Sequence, residues 1–301
     1  MTQRFAGIEL GGTKAIAVLA QGDQIVDRSV IATGAPGATL PALRERLDAW
    51  ASQAPLAGLG IASFGPVQLN PAHPDFGSIL ATPKPGWSGA QVASTLTDGL
   101  ACPWRIDTDV NGAALAEYRW GAGAGCDSLC YVTIGTGLGG GVLVNGEPVH
   151  GAMHPEIGHL RLRRAPGDSF AGACRFHGDC IEGLVSGPAL AARFGMDAAA
   201  APDSHPVWQD AAADIAELCG AILLTTSAQR ILFGGSVALS RAFLLPRVRA
   251  LAVERMGAYL PFLDIGSADA IIRPASLGSE AGPLGAIALA QAAYRAAQAT
   301  G

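Results

Sequence analysis

Lysine is almost missing from this chain: Lys14 and Lys84 stand against 18 arginines in 301 residues. Arginine therefore carries nearly all the positive charge, and the two lysines mark positions worth following. Charge of either sign is sparse, at 15% of residues, and the net formal charge is −5. No long basic run occurs, so the footprint of a nucleic-acid binder is missing and no nucleic-acid partner is expected. Aromatic residues are few, at 6%. No window of about 18 uncharged apolar residues occurs, so no membrane span and no membrane partner are expected. Thr2-Gln3-Arg4 leads straight into a strand-like segment without an apolar leader core, so the expected location is cytoplasmic. Six cysteines in such a chain need not pair; when clustered they more often bind metal.

What is present is apolar and rich in glycine. Half of the residues are apolar and 40 are glycine. That composition excludes long disorder and provides the core of one large or two medium domains. Segments 5–10, 15–19 and 24–31 read as short apolar strands joined by turns. Residues 40–51 read as a helix, with Leu40, Leu43, Leu47 and Trp50 at helical spacing. Segment 56–62 reads as a buried strand, 79–87 as a Pro/Gly-rich loop, 88–96 as a short helix, 104–107 as a strand and 111–120 as a helix. The order then begins again. A hairpin is expected over 128–134 and 141–144, then a loop-heavy insert over about 151–182. Helices are expected at 187–194, 207–224, 240–259 and 282–298, and strands at 230–233 and 270–273. Strand, Gly-rich turn and helix, met twice, point to two related α/β domains flanking a cleft. The first takes residues 1–112 plus the final helix at about 284–301; the second takes 113–283 and carries the insert.

Three glycine turns stand out. Gly7-Ile8-Glu9-Leu10-Gly11-Gly12-Thr13-Lys14 joins two apolar strands. It is not a Walker A loop, because the spacing differs and no helix follows. Adjacent glycines still let successive N–H groups face an anion, while Thr13 adds a hydroxyl and Lys14 a charge. A plain hairpin turn is the simpler reading of this motif alone. Thr133-Ile134-Gly135-Thr136-Gly137-Leu138-Gly139-Gly140-Gly141 occupies the equivalent place in the second half. Two such turns can hold a polyphosphate from opposite sides. A third, Phe233-Gly234-Gly235-Ser236, lies between a strand and a helix, where a nucleotide can rest on backbone N–H groups.

Two further constellations carry chemistry. Asp107-Thr108-Asp109-Val110-Asn111 bridges a strand and a helix, where Asp and Asn also serve as helix caps. His159, Cys174, His177 and Cys180 form an H-x₁₄-C-x₂-H-x₂-C pattern, whose two imidazoles and two thiolates suit tetrahedral Zn²⁺. Cys102, Cys126, Cys130 and Cys219 lie beside apolar residues and read as packing. His150 and His154 fall off the metal pattern.

Together these motifs resemble the ROK-family sugar kinases of the actin/hexokinase superfamily, over nearly the whole chain. The resemblance implies two ribonuclease H-like, actin-like ATPase domains and transfer of the ATP γ-phosphoryl group to a hexose. It implies that Gly11, Gly12, Thr13 and Lys14, with Thr133, Gly135, Thr136 and Gly137, grip the ATP phosphates. Gly234, Gly235, Ser236 and Pro188 would lie near the nucleoside. It makes Asp109 the base that takes the proton of the attacking hydroxyl, with Mg²⁺ across the β- and γ-phosphates. An aspartate with its ordinary pKa of ~3.9 is ionised at neutral pH and serves in that role without tuning. Asn111 would contact the sugar. Thr108 stands where the family usually has Asn, and Glu9 where many relatives have Asp near the metal.

Glu156-Ile157-Gly158-His159 matches the family's zinc-linked Glu-x-Gly-His, and Cys174-Arg175-Phe176-His177-Gly178-Asp179-Cys180 resembles its fructokinase branch. The resemblance implies a structural zinc holding Glu156, His159 and Glu182 against the sugar. Gly65, Pro66, Thr82 and Lys84 would line the sugar side. Thr82-Pro83-Lys84-Pro85-Gly86-Trp87 resembles the fructokinases, so D-fructose phosphorylated at O6 is the expected reaction. A glucokinase, mannokinase or N-acetylmannosamine kinase, a sugar-responsive regulator and an inactive sugar-binding protein remain alternatives. A regulator of this family carries a helix-turn-helix domain ahead of the first strand, and none is expected here. Relatives are often homodimers.

Overall fold

The computed structural model describes residues 2–241 and 243–300. The chain divides into two compact units. The first comprises Met1–Arg119, Pro148–His154 and Ser279–Gly301, and the second Trp120–Glu147 and Pro155–Gly278. Each is built on a five-stranded sheet. No helix among the described residues is long and apolar enough to cross a membrane.

In the first unit, β1 (Arg4–Leu10), β2 (Lys14–Gln21) and β3 (Gln24–Ala32) form an antiparallel meander. β4 (Gly58–Ser63) and β5 (Trp104–Thr108) add in parallel, giving the order β3-β2-β1-β4-β5. Every residue of β4 is buried, as a strand covered on both faces requires. β3, at the sheet edge, alternates exposed and half-buried positions. Helix α1 (Pro36–Gln53) buries Leu40, Leu43, Leu47 and Trp50, the four residues picked by helical spacing. It starts four residues earlier than expected, because Pro36 presets the first helical turn and has no N–H to leave unpaired. Each of those side chains is worth about 1.5–3 kcal/mol of burial.

Two shorter helices and the final helix complete this unit: α2 (Val92–Thr97), α3 (Asp109–Trp120) and α10 (Ala281–Thr300). The early start expected for α2 fails because residues 87–90 are spent in turns, with Gly89 at φ +79°. α10 lies across β1, β4 and β5 on a face of small residues. The approach is so close that a Cβ on Gly60 would stand 1.9 Å from the Ala286 carbonyl oxygen.

The second sheet has the order β10-β9-β6-β7-β8. β6 (Leu129–Ile134) and β7 (Leu138–Val144) form a hairpin, and β8 (Glu147–Pro148) lies at the edge. After a loop-rich stretch come α4 (Ile181–Val185), α5 (Gly187–Phe194) and the long α6 (Val207–Thr226). β9 (Arg230–Gly234) runs parallel to β6, and β10 (Ile272–Pro274) parallel to β9. The single helix expected over 240–259 is two: α7 (Ser236–Ser240) and α8 (Leu244–Met256). Between them Arg241 leaves helical geometry and donates to the Ala198 and Ala199 carbonyls. The strand expected at 270–273 begins instead as one helical turn, α9 (Ala268–Ile271).

Residues 155–180 carry little regular structure beyond a 3₁₀ turn at Ile157–His159 and a bridge between Cys174 and Gly178. A buried ion cluster fastens this stretch to α5 and α6. Arg193, with a side chain 3% exposed, pairs with Asp168 and, at 2.8 Å, with Asp214. Arg164 joins Asp168 at 2.7 Å. Removing one partner would strand a buried charge, at a cost of about 3–5 kcal/mol.

Candidate active site

The first glycine turn closes the β1–β2 hairpin. Gly11 N–H donates to the Lys14 carbonyl at 3.1 Å, and a Cβ on Gly11 would lie 2.8 Å from that oxygen. Gly12 has nothing within 4 Å of where its Cβ would stand. Only Gly11 is therefore demanded by the turn itself; Gly12 leaves open space beside it. Lys84, expected on the sugar side, extends its Nζ to the Gly12 carbonyl oxygen at 2.5 Å. Its loop is ordered by Thr82, whose N–H donates to Ser88 Oγ at 3.1 Å, and by Trp87, fully buried with Nε1 on the Gly34 carbonyl at 2.9 Å. Gly65 and Pro66, joined by a cis peptide, precede Val67, whose N–H donates to His154 Nε2 at 3.2 Å.

Asp109 opens α3. The residue that caps this helix is Thr108, whose Oγ1 accepts from Asn111 N–H at 3.2 Å. Asp109 Oδ1 accepts from Val110 N–H at 2.9 Å. Burial pushes the Asp109 carboxyl up to about 6, against backbone N–H groups that pull it down. The ordinary value expected from sequence is thus corrected, because loss of solvent outweighs the hydrogen bonds. On the neighbouring strand β1, burial first and the Asp109 charge second push Glu9 up to about 7. Glu9 Oε2 is buried without a hydrogen-bond partner. The carboxyl presses on the start of α10, where a Cβ on Gly282 would lie 2.2 Å away.

Sequence reasoning passed over two residues here. Asp107 is fully buried at the end of β5 and accepts from Asn111 Nδ2 at 2.7 Å and from Thr108 N–H at 2.8 Å. His150 Nε2 stands 3.0 Å from its other oxygen. Asn111, 1% exposed, therefore points its amide nitrogen at Asp107. The alternating Asp107-x-Asp109 pattern was the available signal for Asp107. His150 had none, because it is 43 residues distant in sequence.

In the second unit three backbone turns pack on one another. Gly135 N–H donates to the Gly137 carbonyl at 2.9 Å, and Gly187 N–H to the Gly135 carbonyl at 2.7 Å. This brings Pro188, at the start of α5, beside the Thr133–Gly137 turn. Gly235, between Gly234 and Ser236, has φ +85°, and a Cβ there would be 2.5 Å from the Ile134 carbonyl oxygen. Thr136 lies within the same turn. Glu182 Oε2 accepts from Leu138 N–H at 3.1 Å, so α4 is tied to the end of that turn. Glu156 leads into the 3₁₀ turn, its carbonyl accepting from His159 N–H at 3.0 Å.

His159, Cys174, His177 and Cys180 converge, with ligand atoms all within 4.8 Å of one another. The two Nδ1 atoms are 3.3 Å apart, and Cys180 Sγ and Cys174 Sγ lie 3.6 and 3.8 Å from His159 Nδ1. Bonds of about 2.0 Å to nitrogen and about 2.3 Å to sulfur put tetrahedral ligands about 3.3–3.8 Å apart, and the three distances to His159 Nδ1 match such an ion. Burial, and the Cys174 thiol beside it, push Cys180 up to about 11. Ionising Cys180 there calls for a cation beside it.

The ROK family model matches residues 5–293 of this chain. The fructokinase of Zymomonas mobilis is 41% identical over 306 residues, covering 96% of this chain and 97% of its own length. The fructokinase of Pediococcus pentosaceus is 37% identical over 293 residues, covering 97% and 99%. Among solved structures, the ROK hexokinase from Thermus thermophilus superposes with a TM-score of 0.78 at 26% identity, covering 98% and 100%. The two sheets thus belong to the actin-like ATPase fold, and with motifs and sequence in agreement over nearly its whole length, the chain is a member of the ROK family.

Proposed function

We infer that this chain is an ATP-dependent fructokinase, transferring the γ-phosphoryl group to O6 of D-fructose and releasing fructose 6-phosphate and ADP. One observation carries the reading: relatives named as fructokinases match it end to end at 41% and 37% identity. The site chemistry agrees. Phosphoryl transfer asks a protein mainly for positioning and for charge neutralisation. In the first unit, Asp109 takes the proton from the attacking hydroxyl. A carboxyl at about 6 is ionised at neutral pH, yet its affinity for that proton exceeds that of an ordinary aspartate. Gly11, Gly12, Thr13 and Lys14 hold phosphate oxygens. Gly65, Pro66, Thr82 and Asn111 shape the sugar end, with Asp107 fixing the Asn111 amide.

In the second unit, Thr133, Gly135, Thr136 and Gly137 offer further phosphate donors, and Pro188, Gly234, Gly235 and Ser236 the nucleoside surface. Glu156, His159 and Glu182 face the sugar, with His159 also a metal ligand. A bound Mg²⁺ would supply charge neutralisation for the nucleotide phosphates. Glu9 suits that ion, since its buried Oε2 lacks any other partner. His159, Cys174, His177 and Cys180 would hold a structural Zn²⁺, which would tie together the two ends of the 155–180 stretch. We place the enzyme in the cytoplasm, where ATP is available and its free cysteines stay reduced, and expect a homodimer in solution.

A coupled ADP-release assay over fructose, glucose, mannose and N-acetylmannosamine tests the function. Fructose should give the highest kcat/KM. Preference for glucose or N-acetylmannosamine would replace fructokinase by another kinase of the family. Release of no ADP with any sugar would overturn the enzyme reading. Elemental analysis after dialysis should find about one zinc per chain, and finding none would refute the metal assignment.

A further inference from the structure

We propose that Lys84 and Thr33 are positioning residues of the Gly11–Lys14 turn, acting on the nucleotide phosphates and not on the sugar. The proposal rests on the reading of that turn as a phosphate grip. Three consecutive carbonyl oxygens of the turn are held from outside it. Thr33 Oγ1 donates to the Gly11 oxygen at 2.8 Å. Lys84 Nζ donates to the Gly12 oxygen at 2.5 Å. Thr33 N–H donates to the Thr13 oxygen at 2.9 Å.

A trans peptide is planar, with its C=O and N–H on opposite sides. Fixing the Gly11 carbonyl toward Thr33 therefore turns the Gly12 N–H away from Thr33. Fixing the Gly12 carbonyl toward Lys84 turns the Thr13 N–H away from Lys84. The two donors that an anion needs are thus oriented by two side chains distant in sequence. Gly12 cannot set this orientation itself, since it is the least constrained residue of the turn, open within 4 Å where a Cβ would stand.

The brace is itself held firmly. Lys84 Nζ has a second carbonyl acceptor, Thr33 O, at 3.4 Å, and stands 6.0 Å from the centre of the Phe64 ring. Trp87, three residues on, is fully buried and bonded to the Gly34 carbonyl next to Thr33. The loop that carries Lys84 is therefore docked on the strand end that carries Thr33. An ammonium so engaged has its donors directed at the turn, and its charge adds to that of Lys14 beside the polyphosphate. Arginine cannot reproduce this contact, because its planar fork does not deliver one compact donor to one carbonyl.

The test measures nucleotide and sugar separately on the full chain. Binding of Mg-ADP is followed by calorimetry, and KM is measured for ATP and for the sugar that the wild type phosphorylates. Lys84→Met should weaken Mg-ADP binding by about tenfold or more. Thr33→Val, which removes only the hydroxyl donor, should weaken it by about three- to tenfold, and Thr33→Ser should restore it. The sugar KM should stay within about twofold in all three, with circular dichroism unchanged. Unchanged Mg-ADP binding in Lys84→Met together with a raised sugar KM would overturn the proposal and return Lys84 to the sugar side. Failure of the wild type to bind Mg-ADP would overturn the phosphate-grip reading and this proposal with it. Phosphorylation of a sugar other than fructose would overturn only the assigned substrate.

Discussion

The two glycine turns are held in different ways. In the first unit, the Gly11–Lys14 turn is braced by side chains, Thr33 and Lys84, and neighbours two carboxyls that burial pushes up to about 6 and about 7. In the second unit, the Thr133–Gly137 turn is braced mainly by backbone: Gly187 donates to it, and Gly235 packs against Ile134 with no room for a Cβ, while the Glu182 side chain holds the Leu138 N–H at its end. The first arrangement can be tuned by changing one functional group at a time. The second has no room for an added atom at Gly235, where a Cβ would meet backbone at 2.5 Å. Beside the first turn lie the buried carboxyls Glu9 and Asp109, and beside the second a closely packed backbone.

The largest effect that would break this contrast is at Asp109. Asp109→Asn keeps the shape and removes the base, so kcat should fall by about 10²–10⁴-fold while Mg-ADP binding persists. Steady-state kinetics with calorimetry checks both halves; near-normal turnover would sink the assignment. Next come the glycines. Gly235→Ala places a methyl 2.5 Å from a carbonyl at φ +85°, and should cost about 1–3 kcal/mol in denaturant unfolding. Gly12→Ala meets open space and should unfold within about 0.5 kcal/mol of the wild type. Equal losses at the two positions would erase the distinction between the turns.

A smaller, pH-dependent effect sharpens the comparison. Glu9 and Asp109 have raised carboxyl values in the fold, so the folded state holds their protons where the unfolded chain has lost them. Stability from these groups is therefore greatest at low pH and declines as pH rises from about 4 to about 7. Glu9→Gln removes the Glu9 share of that decline. It should raise the stability of the nucleotide-free protein by about 1–3 kcal/mol at pH 8 and change little at pH 4. Thermal unfolding at both pH values checks the sign, and a destabilised variant at pH 8 would show that the Glu9 charge is favourable in the fold. The smallest effect concerns Asp107: His150→Gln removes a half-exposed partner and should cost about 1 kcal/mol or less, with the Asn111–Asp107 bond intact.

Much of this was legible in the sequence because it is local. The spacing of Leu40, Leu43, Leu47 and Trp50 set the buried face of α1. The C-x₂-H-x₂-C pattern picked out three side chains of one loop and Glu-x-Gly-His a fourth, and the four converge. What escaped depends on contacts between distant segments. Lys84 meets Gly12 across 72 positions and His150 meets Asp107 across 43, and no periodicity links them. The raised Asp109 value escaped for the same reason, since burial belongs to the assembled fold. The break between α7 and α8 was hidden because the residues around Arg241 read as helix formers, and only its bonds to the Ala198 and Ala199 carbonyls pull it out of line.

Phosphorus NMR of the products formed from ATP and D-fructose tests the central claim most directly. The account predicts ADP and fructose 6-phosphate in equal amounts with the wild type, and the same products formed about 10²–10⁴-fold more slowly with Asp109→Asn. Appearance of fructose 1-phosphate, or of no sugar phosphate from fructose while glucose is phosphorylated, would contradict it.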